Sequence, residues 1–127
     1  MAATRDHLFE QLFAQASDAA LILDPGANRV VAANAAACAL LGYPEDELLA
    51  TPISAIHPGE LPQLQEFVGA VLRDGHGTTV TLTCRTMSED YLPIELSLYA
   101  FASDDGRPHI LGLVRDRSEH RARTVGD

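Results

Sequence analysis

The stretch NAAACALLGYPEDELLA, residues 34–50, reads as two clipped helices joined at Gly42-Tyr43. Asn34 suits an N-cap, because its side-chain oxygen can accept a backbone N–H that the first turn leaves unpaired. Ala35 to Leu41 continue that helix, and Gly42 stands where a left-handed residue commonly ends one. Pro44 fits the first position of a second helix, since its fixed φ is already helical and its missing N–H is no loss there. Glu45, Asp46 and Glu47 follow, where negative charge complements the positive end of a helix.

The flanks on both sides read as strands. Ala19 to Leu23 is apolar without alternation, as in a strand covered on both faces. Asp24-Pro25-Gly26-Ala27-Asn28 has Pro and Gly in the order of a type II turn. Arg29 to Ala33 completes a hairpin. Thr51-Pro52 breaks the chain, because a residue before Pro avoids the helical region. Glu60 to Arg73 is expected to form a long helix with Leu61, Leu64, Phe67, Val68, Val71 and Leu72 on its packed face. Asp74-Gly75-His76-Gly77 ends it.

The last third reads as a three-stranded meander. Val80, Leu82 and Cys84 alternate with polar neighbours across 79–87, and Ile94, Leu96, Leu98 and Ala100 do so across 94–101. His109 to Val114 is apolar on both faces. The two doubly apolar strands belong at the centre of a sheet and 79–87 at an edge. At the chain start, Leu8, Phe9, Leu12, Phe13 and Ala16 recur at helical spacing between Arg5 and Ala16. That stripe either caps the sheet or meets a second copy.

The totals bound the function. A chain of 127 residues with 46% hydrophobic content is one domain. No apolar run approaches the ~20 residues that span a bilayer, and no signal segment opens the chain. A net charge of −9 argues against nucleic-acid or anionic-membrane binding by the body of the domain. The charge is uneven: residues 115–127 carry Arg115, Arg117, Arg121 and Arg123 against Asp116, Glu119 and Asp127, and no direct nucleic-acid binding or membrane insertion is expected. Cys38 and Cys84 lack the spacing of a metal site and read as free buried thiols in a reducing cytoplasm.

Together these features resemble the PAS (Per-Arnt-Sim) sensor domains. The likeness rests on the 34–50 signature, on Leu21-Ile22-Leu23-Asp24 before a Gly turn, and on Ile56-His57-Pro58. Leu113-Val114-Arg115-Asp116 adds the last strand and its exit Asp. Glu60 departs from the more usual Asp. The resemblance runs from about residue 8 to 121. It implies an α+β fold: a five-stranded antiparallel sheet in the order 2-1-5-4-3, helices on one face, and an N-terminal amphipathic helix. The expected divisions are a cap or dimerisation helix at 1–17, a core at 18–117 and a linker to an effector at 118–127.

The resemblance also implies a bacterial sensory input module of a two-component histidine kinase or a transcription regulator, cytoplasmic and homodimeric. Asp116 and Arg117 would form its signal exit. Leu8, Phe9, Leu12, Phe13, Tyr99 and Phe101 would form its dimer interface. A ligand-free dimerisation module is the rival reading.

No hydrolase elbow, phosphate loop, dinucleotide fingerprint or zinc-protease motif is present, so no catalysis is expected. His57 and Glu60 straddle Pro58-Gly59, which no helix spans, so His57 reads as a locally bonded turn residue. Haem-binding relatives place a His on the long helix, and residues 60–73 have none. The flavin photoreceptors carry an Asn-Cys-Arg-Phe-Leu-Gln segment where this chain has Ile53 to His57. Haem and flavin are therefore not expected. The alanines of the first short helix leave little bulk over the sheet, which allows either a filled core or a pocket for a small organic ligand. Asn34, Cys38, Leu41, Phe67, Val71, Leu82, Leu96 and Leu98 are the candidate lining.

Overall fold

The computed structural model describes residue 13 and residues 18–57, 59–102, 104 and 106–118. The segment 5–16 expected to be helical (Phe13 apart), Pro58 and the tail beyond 118 lie outside them. The strands are β1 (Ala19–Asp24), β2 (Arg29–Ala33), β3 (His76–Thr79), β4 (Thr83–Arg85), β5 (Tyr91–Ala102) and β6 (Pro108–Asp116). The helices are α1 (Ala35–Leu41), α2 (Glu45–Ala50), α3 (Ile53–Ile56) and α4 (Leu61–Asp74).

All strand pairs are antiparallel, in the order β2-β1-β6-β5-β3, with β4 also paired to β5. With β3 and β4 counted as one interrupted edge strand, this is the expected order. β6 lies between β1 and β5, which accounts for its apolar character on both faces. Ile110 and Val114 of β6 are buried, as are Ile94, Leu96 and Leu98 of β5. Fully burying one such side chain contributes roughly 1.5–3 kcal/mol. The helices lie between β2 and β3 in sequence, and their buried residues join the sheet in one core.

The caps follow the local chemistry. Asn34 accepts from the Ala37 N–H, and Gly42 ends α1 at φ 79°. Pro44 is the N-cap of α2, one position before the expected first turn. Gly75 ends α4 at φ 98°. Short α3, entered from Pro52, follows the expected break at Thr51-Pro52, in a segment without the periodicity of a helix.

Three local expectations are corrected. Pro25–Ala27 is a single 3₁₀ turn, and Asn28, at φ 54°, takes the left-handed position in place of Gly26. The Asp24 side chain accepts the Ala27 N–H at 3.2 Å and thereby closes the turn. The edge strand breaks at residues 80–82. Thr79 lies opposite Leu96 but Thr83 opposite Pro93, so the edge strand carries one extra residue. One extra residue reverses which face the side chains take. Leu82 and Cys84 therefore point inward while Val80 is exposed. Finally, Leu61 and Leu72 of α4 remain 42% and 41% exposed, while Leu64 and Val71 are buried. The buried face of α4 is narrower than its apolar stripe.

Candidate functional site

Beneath the helical cover lies an apolar cavity of about 40 Å³. Its sheet side is built by Leu21 and Leu23 of β1, Leu96 and Leu98 of β5, and Ile110, Gly112 and Val114 of β6. Its helical side is built by Ile53 and Ile56 of α3 and Leu64 and Val68 of α4, with Pro25 at the turn. Gly112 matters here, because a Cβ at that position would lie 3.2 Å from Leu98 Cδ2. Pockets that bury drug-sized ligands run to ~300–1,000 Å³, far larger than this one.

Two lining residues carry ionisable groups, His57 and Cys84. His57 Nδ1 lies 2.6 Å from the Thr83 carbonyl oxygen. A carbonyl only accepts, so Nδ1 carries the proton. Glu60 holds the other side of the same residue: its carboxylate accepts from Thr83 N at 3.0 Å and from Thr83 Oγ1 at 3.1 Å. His57 and Glu60 approach to 3.8 Å. Burial pushes the His57 pKa below its ordinary 6.5 and outweighs the opposing effects of Thr83 and Glu60. Burial also pushes the Cys84 thiol up to about 12, with the Glu60 charge adding to it.

Of the residues read as candidate lining, Leu96 and Leu98 face this cavity. The other six do not line it. Asn34, Leu41, Val71 and Leu82 are buried elsewhere in the core, and Phe67 packs against it partly buried. Phe67 and Val71 instead close on Gly77, where a Cβ would lie 3.0 and 3.1 Å from their side chains. Cys38 is half-buried on α1, and burial and then Glu45 raise its pKa.

Asn34 is a junction. Its Oδ1 accepts from Ala20 N at 3.0 Å and Ala37 N at 2.9 Å, while its Nδ2 donates to Phe13 O at 3.1 Å and Asp18 O at 2.9 Å. It thus ties Phe13 and Asp18, β1 and α1 together.

At the C-terminal end of β6, Asp116 Oδ1 accepts from Ser118 N at 2.7 Å, and Arg117 N donates to Pro93 O at 2.8 Å. Tyr99 and Phe101 lie on the opposite face of β5 from the core residues, 45% and 40% exposed. Rings of His76 and Tyr99 approach to 6.5 Å, and those of Phe101 and His109 to 5.9 Å. Among the described residues, no group of three or more His, Cys, Asp or Glu gathers as a metal site. Nor is any helix among them long and apolar enough to cross a membrane.

An antiparallel sheet with helices over one face and a small chamber between them defines an α+β fold. The PAS domain family profile matches residues 17–119, and the chain belongs to that family. A comparison with curated protein sequences gave no match. Among solved structures, the chain is similar to a PAS domain from a two-component sensor histidine kinase: 17% identity, TM-score 0.76, covering 91% of this chain and 99% of that one. A domain of a sensory box sensor histidine kinase/response regulator from Geobacter sulfurreducens is 28% identical, with TM-score 0.67 and coverage of 91% and 97%. A light-oxygen-voltage domain studied with a flavin analogue is 26% identical, with TM-score 0.69 and coverage of 97% and 93%. The chain is thus a PAS domain, a sensory type of module.

Proposed function

We propose that this PAS domain is the sensory input module of a bacterial histidine kinase or transcription regulator. A small molecule, or a change of packing in the chamber, would shift the helices against the sheet. β6 would carry that shift to Asp116 and Arg117 and on to an effector through residues 118–127. Residues 1–17, with Leu8, Phe9, Leu12 and Phe13, would report it through a homodimer. A ligand can drive such a shift only through its differential affinity for the two states.

One observation supports this reading above the others. The strand that lines the cavity with Ile110, Gly112 and Val114 is the strand whose end holds Asp116 against Ser118. A disturbance at the cavity therefore has a direct covalent route to the exit.

The likeness to a light-oxygen-voltage domain raises flavin as an occupant. The residues present do not fit it: a cavity of about 40 Å³ does not take a three-ring system. No step is assigned to flavin.

A ligand-free interaction module is supported by Tyr99 and Phe101, exposed aromatics of the type that suit an interface. Native mass spectrometry with an absorbance scan separates the two. Bound non-protein mass, lost on denaturation, is expected for sensing. A ligand-free dimer that Tyr99→Ser and Phe101→Ser convert to monomer would instead establish the interaction module.

A further inference from the structure

We infer that residues 5–12, which lie outside the described residues, fold back over the open face of their own sheet, and that Asn34 is the clasp that holds them there. The stripe Leu8, Phe9 and Leu12 then rests on β1 and β6.

Register identifies the face. Leu21 and Leu23 of β1 line the cavity, so Ala20 and Ile22 point to the other side of the sheet. Ala20 lies opposite Leu113 of β6, and Ile22 opposite Leu111. Leu111 in turn lies opposite Tyr99 of β5. The core cluster joins Leu21, Leu23, Ile110 and Val114 to the buried residues of all four helices, and Ala20 is not part of it. Ala20 is nevertheless only 2% exposed in the single chain. Asn34 and Leu113 flank it along the sheet and do not roof it. Exposure across the face is graded. Tyr99 and Phe101 are exposed, Ile22, Leu111 and Leu113 are partly buried, and Ala20 is buried.

Phe13 fixes the occupant. It is helical and half-buried. Its carbonyl accepts from Asn34 Nδ2 at 3.1 Å, while Asn34 Oδ1 accepts from Ala20 N at 3.0 Å. The segment leading into Phe13 therefore ends at the covered end of the face. A helix rises ~1.5 Å per residue, so Leu8 stands ~7.5 Å beyond Phe13. Strands lie ~4.8 Å apart, so that reach spans β1 and β6 and stops short of Tyr99 and Phe101 on β5. The exposure gradient has the same extent. A second copy is the poorer occupant: Ala20 is covered within one chain, and two chains of net charge −9 repel.

The cap uses the stripe that would otherwise meet a second copy, so dimerisation must first lift it. That step rests on the homodimer of the sensing reading above.

Filtered NOE spectroscopy on the full chain tests the contact. A dilute ¹³C-labelled fraction in unlabelled protein reports contacts within a chain, and an equal mixture with isotope filtering reports contacts between chains. NOEs from Leu8, Phe9 or Leu12 to Ile22, Leu111 or Leu113 are expected within the chain and not between chains. Contacts between chains only would assign the face to a second copy, and contacts in neither sample would leave it to a foreign partner or to water. Either result overturns the inference without any variant.

Asn34→Asp tests the clasp apart from the N-cap. Aspartate caps a helix as well as asparagine and keeps an oxygen for Ala20 N and Ala37 N, but it cannot donate to Phe13 O. Amide exchange at residues 8–12 should speed about tenfold or more, and the dimer measured by analytical ultracentrifugation should tighten by a similar factor. The α1 amides from Cys38 to Leu41 should keep their protection. Unchanged exchange at 8–12, or equal loosening of α1, would overturn the clasp, and an unchanged dimer constant would overturn the release step. Within-chain NOEs with no dimer in either protein would remove the homodimer of the sensing reading and leave the cap standing.

Discussion

Two of the places where polar side chains enter this apolar core, one around Asn34 and one around His57, are built on different chemistry. At the junction of Phe13, Asp18, β1 and α1, Asn34 meets N–H groups on its oxygen and carbonyls on its nitrogen. None of these four bonds uses a titratable side chain, so they form at any pH at which the chain folds. At the cavity, His57 and Cys84 are both ionisable and both held neutral by burial. The first region holds its geometry through bonds that do not titrate, and the second does so only while His57 and Cys84 both stay neutral. The conditional region is the one that lines the chamber.

The largest effect is expected at the unconditional junction. Asn34→Ala removes the N-cap of α1 and strands the backbone groups of Ala20 and Asp18, for a loss of about 2–4 kcal/mol. Urea denaturation measures it, and the loss should be the same at pH 6 and pH 8. A strongly pH-dependent loss would break the contrast between the two regions.

Cys84 comes next. Its pKa is raised from 9.0 to about 12, so the unfolded chain loses its proton first. The stability this thiol contributes is complete below pH 9 and falls as pH rises from 9 toward 12. Thermal melts across that range should show an alkaline decline that Cys84→Ala reduces.

His57 has the opposite sign. Its pKa is lowered from 6.5, so the unfolded chain takes up a proton first. Its contribution is complete above pH 6.5 and is lost as pH falls below it. His57→Asn, whose amide can still donate to Thr83 O, should flatten the acid limb of the melting curve. An acid limb unchanged in that variant would assign it to the carboxylates instead.

Much of the fold was legible because it is local. Asn34, Gly42 and Gly75 act within one turn of their own positions, and the patterns of 19–23 and 109–114 announce the sheet's centre. What was not legible depends on distance along the chain. His57 and Glu60 look unrelated across Pro58-Gly59, yet both close on Thr83, 26 and 23 residues away. The break at 80–82 follows from β5's register, which the alternation of Val80, Leu82 and Cys84 cannot reveal. The candidate lining drew on the alanines of α1, whereas the cavity lies farther along, under α3 and α4. Nothing in Ile53 to Ile56 marks that segment as a roof until the sheet beneath it is in place.

The most direct test of the link between chamber and exit is amide hydrogen exchange in Gly112→Ala. Its added methyl would press on Leu98 inside the cavity, at 3.2 Å from Cδ2. Faster exchange is expected at Arg117 and Ser118, with the amides of α2 unchanged. Exchange altered within β6 but not at Arg117 and Ser118 would contradict the account.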